Sequence, residues 1–173
     1  MRIGLIAGNG QFPIILSKTA KAKGFSGYAV AHNNETDPGL KDHVDAIEWI
    51  HIGQIKRILK FFKKNQGGQT VLIGGITKTR MFSDVRPDTK AISLIAGMGH
   101  THDDGVLRGF ARVLEKEGIE VQTSTFLLPD LLAQPGCWTK RKPARSEKKD
   151  IELGWKLAKE IGRLDIGQCV VVG

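Results

Sequence analysis

The sequence predicts an α/β fold, a mainly parallel sheet with helices on both faces, followed by a linker and the start of a second domain. Three observations carry that prediction. Short apolar runs of strand character alternate with stretches of helical periodicity through residues 1–130. Two of those runs stop at glycines, Gly8 and Gly74. After Leu128-Pro129 the alternation gives way to a stretch rich in lysine and containing proline. Strands alternating with helices at this spacing are joined by crossovers, which makes neighbouring strands parallel.

Taken in order, Arg2-Ile3-Gly4-Leu5-Ile6-Ala7 is a short apolar run, as a strand buried on both faces requires. Residues 13–23 follow with Ile14, Ile15, Thr19 and Ala22 in a helical stripe; Pro13 suits the first turn and Gly24 ends the helix. Residues 27–31 read as a second strand and 46–50 as a third. Residues 54–64 form a helix with Ile55, Ile58, Leu59 and Phe62 on one face. A fourth strand, 70–73, stops at Gly74-Gly75. Residues 103–117 give an amphipathic helix through Val106, Leu107, Phe110 and Leu114, before a strand at 119–121. The result is a Rossmann-like unit over 1–130, a basic, proline-containing linker over 131–148, and a second domain begun by a helix at 149–161 and a strand at 166–172. A strand so apolar with no successor is either cut off from its domain or pairs with another chain, which would make a homo-oligomer.

A chain of 173 residues accommodates one main core, and 40% hydrophobic with 25% charged residues is globular composition rather than that of a disordered chain. No run reaches the roughly 18 apolar residues of a membrane span, and no signal-peptide core follows Met1-Arg2, so a cytoplasmic address is expected. Cys137 and Cys169 match neither a redox pair nor a zinc spacing and read as reduced thiols. The net charge of +8 is concentrated at Lys140, Arg141, Lys142, Arg145, Lys148 and Lys149. That cluster is either a solvated linker or a contact for an anionic partner: nucleotide phosphates, nucleic acid or the inner face of a membrane. Only 6% aromatic residues and no single-strand stacking pattern argue against nucleic acid.

Three constellations could carry chemistry. Gly8-Asn9-Gly10-Gln11-Phe12-Pro13 holds two glycines of the dinucleotide fingerprint with proline in place of the third, so it is not a standard NAD motif. Its glycines still let backbone N–H groups approach a phosphate at the positive end of the following helix. A tight turn without a ligand is the alternative. Gly74-Gly75-Ile76-Thr77-Lys78-Thr79-Arg80 offers hydroxyls and two cations to phosphate oxygens, or is a plain basic loop. In His100-Thr101-His102-Asp103-Asp104, the aspartates cap the next helix, hold magnesium or a substrate hydroxyl, or join a zinc site. Gly8 and Gly74 both fall at strand carboxyl ends, where ligands of such sheets sit.

These segments resemble the UDP-2,3-diacylglucosamine pyrophosphatases of lipid A biosynthesis. The resemblance runs through residues 6–10 and Pro13, Gly74-Gly75, Arg86-Pro87-Asp88, Asp103-Asp104 with Leu107-Arg108, residues 114–118, and the unbroken Ile161-Gly162-Arg163-Leu164-Asp165-Ile166-Gly167-Gln168. Two positions depart from the family: His102 stands where lysine is usual, and Asn9 where a glycine is common. The resemblance implies water attack on the α-phosphorus of UDP-2,3-diacylglucosamine, aided by magnesium or manganese, to give UMP and 2,3-diacylglucosamine 1-phosphate. It also implies two domains, the first holding the nucleotide and the second carrying the essential acidic residue and much of the acyl-chain chamber. The candidate nucleotide-binding set is Gly8, Asn9, Gly10, Gln11, Gly74, Gly75, Thr77, Lys78, Asp103, Asp104 and Gln168. On this basis the chain is expected to be the nucleotide-binding N-terminal half of the hydrolase, inactive without the remainder. The alternative is a stand-alone, non-catalytic module for a nucleotide or acyl-sugar.

Overall fold

β1 (Arg2–Ala7) lies at the centre of a five-stranded sheet, which is why both of its faces are apolar. The computed structural model describes residues 1–77, 84–97, 103–164 and 166–173, with only the backbone of Asp103 and Asp104. β1 pairs in parallel with β2 (Ser26–His32) and with β4 (Gln69–Ile73). Beyond them lie β3 (Ala46–Ile50) and β5 (Glu120–Gln122), giving the all-parallel order β3-β2-β1-β4-β5. The connections contain α1 (Phe12–Ala22), α2 (Ile55–Lys64), α3 (Thr89–Ala96) and α4 (Asp103–Lys116). The predicted α/β architecture is therefore present, with ends displaced by a residue or two, as frayed termini are.

Although buried on both sides, β1 keeps the period of two that a pleated strand imposes. Ile3, Leu5 and Ala7 join Leu16 and Ala20 of α1 and Leu40 in one core layer. Ile6 faces the opposite layer, with Ile58, Leu59 and Phe62 of α2, Ala91 of α3 and Leu114 of α4. Gly24, with φ +78°, ends α1 in the left-handed conformation; its N–H donates to the Lys21 carbonyl, and that of Phe25 to Ala20.

Sequence reasoning passes over α3, an eight-residue helix too short to repeat its stripe and burying only Ala91. Asp88 starts it, accepting from the N–H groups of Lys90 and Ala91 and also from Lys56 N at the head of α2, 2.6 Å away. Glu117, after α4, binds both Lys63 of α2 and Lys90 of α3. Those two hydrogen bonds, Lys63 first, hold its carboxyl down at about 2. A carboxylate depressed in the folded state stabilises fully above its unfolded pKa and loses that contribution as pH falls towards the folded value. Stability from this group should fade from about pH 4.5 down to about 2, and urea titrations across that range should show a shallower acid slope for Glu117→Gln.

Thr70 of β4 is fully buried and its hydroxyl finds no partner among the described residues. An orphaned buried hydroxyl costs about 1–3 kcal/mol, and an apolar isostere removes the cost. Thr70→Val should raise stability by about 1 kcal/mol in chemical denaturation; a loss would mean that the hydroxyl has a partner in solution.

The chain divides into two units, Met1–Leu132 and Ala133–Gly173. In the second, α5 (Arg145–Leu164) begins before the predicted 149–161 and takes Arg145 and Lys148 out of the expected linker. Glu147 explains the early start. It accepts the Ala144 N–H at 2.6 Å, a capping contact, and both terminal nitrogens of Arg141 at 2.9 and 2.7 Å. Arg141, then the Ala144 N–H, lowers the Glu147 pKa, and Glu147 raises that of Arg141. The strand predicted at 166–172 is not formed. Among the described residues no strand lies beside it, and its alternating valines pack instead against α5, where Val172 Cγ2 comes within 3.1 Å of the place a Cβ on Gly154 would occupy.

Candidate functional site

Strand order reverses between β1 and β4, since β2 and β3 lie on one side of β1 and β4 and β5 on the other. The loops after these two strands, residues 8–11 and 74–77, meet at that point and are bonded to each other. Gly8 N donates to Ile73 O at 2.9 Å, Asn9 N to Gly75 O at 2.7 Å, and Gly75 N to Asn9 O at 3.3 Å, forming a one-residue antiparallel bridge. The glycines permit this approach: a Cβ on Gly8 would lie 2.1 Å from Gly75 O, and one on Gly74 would lie 2.5 Å from Asn9 O.

Backbone bookkeeping then locates the remaining donors. The N–H groups of Gly8, Asn9 and Gly75 are used within the loop pair, and Thr77 N donates to Glu35 Oε1 at 3.2 Å. Those of Gly10, Gln11, Phe12 and Ile14 donate to nothing among the described residues, and α1 has no side-chain cap. Gly10 has φ +86° and open space around it. The exposed turn it makes leads straight into the first turn of α1, where unpaired N–H groups concentrate the positive end of the helix dipole.

The loop after β2 forms the third side. Thr36 Oγ1 donates to the carbonyl of Ala7 at 2.6 Å, and His32 Nδ1 lies 3.0 Å from the same oxygen. A carbonyl only accepts, so Nδ1 is assigned the proton. Burial pushes the His32 imidazole below its ordinary value, and the backbone contact and the Glu35 charge oppose that more weakly. Asn34, at φ 62°, tightens the turn that carries Glu35. Glu35 Oε2 accepts from Asn9 Nδ2 at 2.9 Å and from Thr77 Oγ1 at 3.1 Å.

The structure thus brings together Gly8, Asn9, Gly10, Gln11, Gly74, Gly75 and Thr77. Lys78 lies outside the described residues, as do Arg80, His100 and His102. Asp103 and Asp104 are the first residues of α4, and Gln168 is an exposed residue of the second unit. Sequence reasoning passed over Glu35, His32 and Thr36. The usable signal was an acidic residue some 25 positions after the glycine turn, where doubly wound folds place a ligand-loop carboxylate.

The second unit has a trough of its own, about 810 Å³, lined by Cys137, Pro143, Ile151, Trp155, Val170 and Val172 among others. No helix among the described residues is long and apolar enough to cross a membrane.

An open, all-parallel sheet with strand-end loops gathered at the reversal point defines a doubly wound α/β domain, the class whose ligands sit outside the strand carboxyl ends. Residues 2–131 match the LpxI N-terminal domain and residues 134–173 the LpxI C-terminal domain, and the chain belongs to the LpxI family. It is 30% identical over 174 residues to the UDP-2,3-diacylglucosamine pyrophosphatase LpxI of Caulobacter vibrioides, covering 99% of this chain and 61% of that protein. The chain therefore spans about three fifths of the length of this curated relative. Among solved structures, glycinamide-RNase-transformylase T from Mycobacterium tuberculosis aligns with 73% of this chain and 30% of its own at 12% identity, TM-score 0.41. The biotin carboxylase domain of a single-chain bacterial carboxylase aligns with 94% and 29% at 16% identity, TM-score 0.43.

Proposed function

We propose that the first unit holds the nucleotide of UDP-2,3-diacylglucosamine for hydrolysis to UMP and 2,3-diacylglucosamine 1-phosphate. The observation that carries this is the set of N–H groups at Gly10, Gln11, Phe12 and Ile14 that are unpaired among the described residues, at the reversal point and at the head of an 11-residue helix. Such a set binds a phosphate oxygen without any side-chain charge. Family membership points the same way, since the Caulobacter relative is a pyrophosphatase of this substrate.

A divalent cation belongs to the same proposal, and would neutralise phosphate charge as water attacks. Among the described residues, no three His, Cys, Asp or Glu side chains stand together to hold one. We infer that the attack depends on groups of the family's C-terminal domain, of which residues 134–173 are a part, and expect binding without turnover from residues 1–173 alone. Release of UMP from UDP-2,3-diacylglucosamine by this chain, supplied with magnesium or manganese, would overturn that division of labour. The cations of 140–149 that remain exposed, Lys140 and Lys142 among them, favour a peripheral contact with an anionic membrane surface.

Titration calorimetry with UMP tests the binding. Saturable heat is expected, and none at millimolar UMP would sink the proposal. Gly10→Val should weaken binding at least about tenfold while the protein still unfolds cooperatively. A β-branched residue is an outlier at positive φ, so the turn must re-form and the donors move, yet a Cβ at this position meets nothing within 4 Å.

A further inference from the structure

The glycine turn and the 74–77 loop are joined by their backbone bridge and by the Asn9 side chain, whose Nδ2 donates to Thr77 Oγ1 at 3.2 Å, but these contacts tie the two loops only to each other and not to the loop after β2. Glu35 supplies that tie. Among the described residues its carboxylate accepts three hydrogen bonds from the other two loops: Asn9 Nδ2 at 2.9 Å, Thr77 N at 3.2 Å and Thr77 Oγ1 at 3.1 Å. Its own turn is anchored independently of those loops' tips, because His32 N donates to Thr36 Oγ1 and Thr36 in turn donates to Ala7 O at the end of β1. Asn9 completes the ring, accepting the Gly75 N–H on Oδ1 at 3.2 Å.

We propose that Glu35 is a positioning residue, a clasp that ties the loops after β1, β2 and β4 into one frame and so aims the Gly10–Phe12 donors at a bound phosphate. It need not touch the ligand. The clasp is a property of the free protein, and its effect on affinity rests on the nucleotide-binding proposal above.

The donor and acceptor pattern gives a reciprocal test. In Glu35→Gln one oxygen is replaced by an NH2 that must face either the NH2 of Asn9 or the N–H of Thr77, and the ring breaks at one of the two. Adding Asn9→Asp restores it with polarity reversed. The new carboxylate at position 9 accepts from the new amide at position 35 and still accepts the Gly75 N–H, while the oxygen of that amide accepts from Thr77. Hydrogen exchange at the amides of Gly75 and Thr77, measured without ligand, is expected to quicken about tenfold in Glu35→Gln and Glu35→Ala and to recover in the double variant. The dissociation constant for UMP should rise about tenfold and recover in parallel, with melting temperatures of the three variants close to one another. Exchange that recovers in the double variant while the wild type binds no UMP would keep the clasp and discard the nucleotide. Unchanged exchange in Glu35→Ala, or no recovery on adding Asn9→Asp, would overturn the clasp whatever UMP does.

Discussion

Gly8→Ala is expected to destabilise the protein by about 3 kcal/mol or more, the upper part of the range for forcing atoms into a packed site. The added methyl would sit 2.1 Å from the carbonyl oxygen of Gly75 and 2.8 Å from its carbon. Neither partner can retreat cheaply. Gly8 N is fixed to Ile73 O, and Gly75 O is held by Asn9 N, so relief requires breaking the bridge between the loops. For a protein of this size each kcal/mol is worth roughly 2–4 °C, so thermal melts should fall by about 6 °C or more. Gly10→Ala is the control. It carries only the cost of an alanine at positive φ, about 1–2 kcal/mol, because nothing lies within 4 Å of the new atom. Equal melts for the two variants would show that the loops are not paired in solution.

Phe62→Ala should cost about 3–5 kcal/mol, as fully buried aromatics do. Phe62 has no exposed surface, meets Phe61 edge to face with centroids 5.7 Å apart, and reaches across to Gly4 of β1. Gly4 exists in this strand because of that ring: a Cβ there would lie 2.6 Å from Phe62 Cε1. The two positions should therefore couple. Gly4→Ala alone should destabilise, and its cost should shrink in a Phe62→Leu background, where the smaller side chain leaves room. Additive costs in denaturant titrations would show that the ring is not seated on the strand.

The alternating fold was legible because crossover connections leave period-two strands and amphipathic helices, and α2, with Ile55, Ile58, Leu59, Phe61 and Phe62 all inward, is an unmistakable stripe. What escaped was whatever depends on partners distant in sequence. The glycines at 8, 74 and 75 read equally well as phosphate contacts and as close backbone approach, and only the bridge between the loops reveals the second. Glu35 was invisible because a carboxylate after β2 gains meaning from Asn9 and Thr77, 26 and 42 residues away. At 166–172, apolar alternation suggests a ladder, yet the same pattern lays two valines on a helix. Periodicity specifies which side is buried, not what buries it.

A single carboxylate, Asp88, serves the amino ends of both α2 and α3, and Glu117 then fastens the same two helices near Lys63 and Lys90. Neither helix can fray at its start without releasing the other's cap. Their opening should accordingly be a shared event of one free energy rather than two independent ones, so that the outer layer on that face of the sheet is lost or kept as a unit. A local disturbance at residue 88 would then be felt along all of α2, including the face that seats Phe62 in the core.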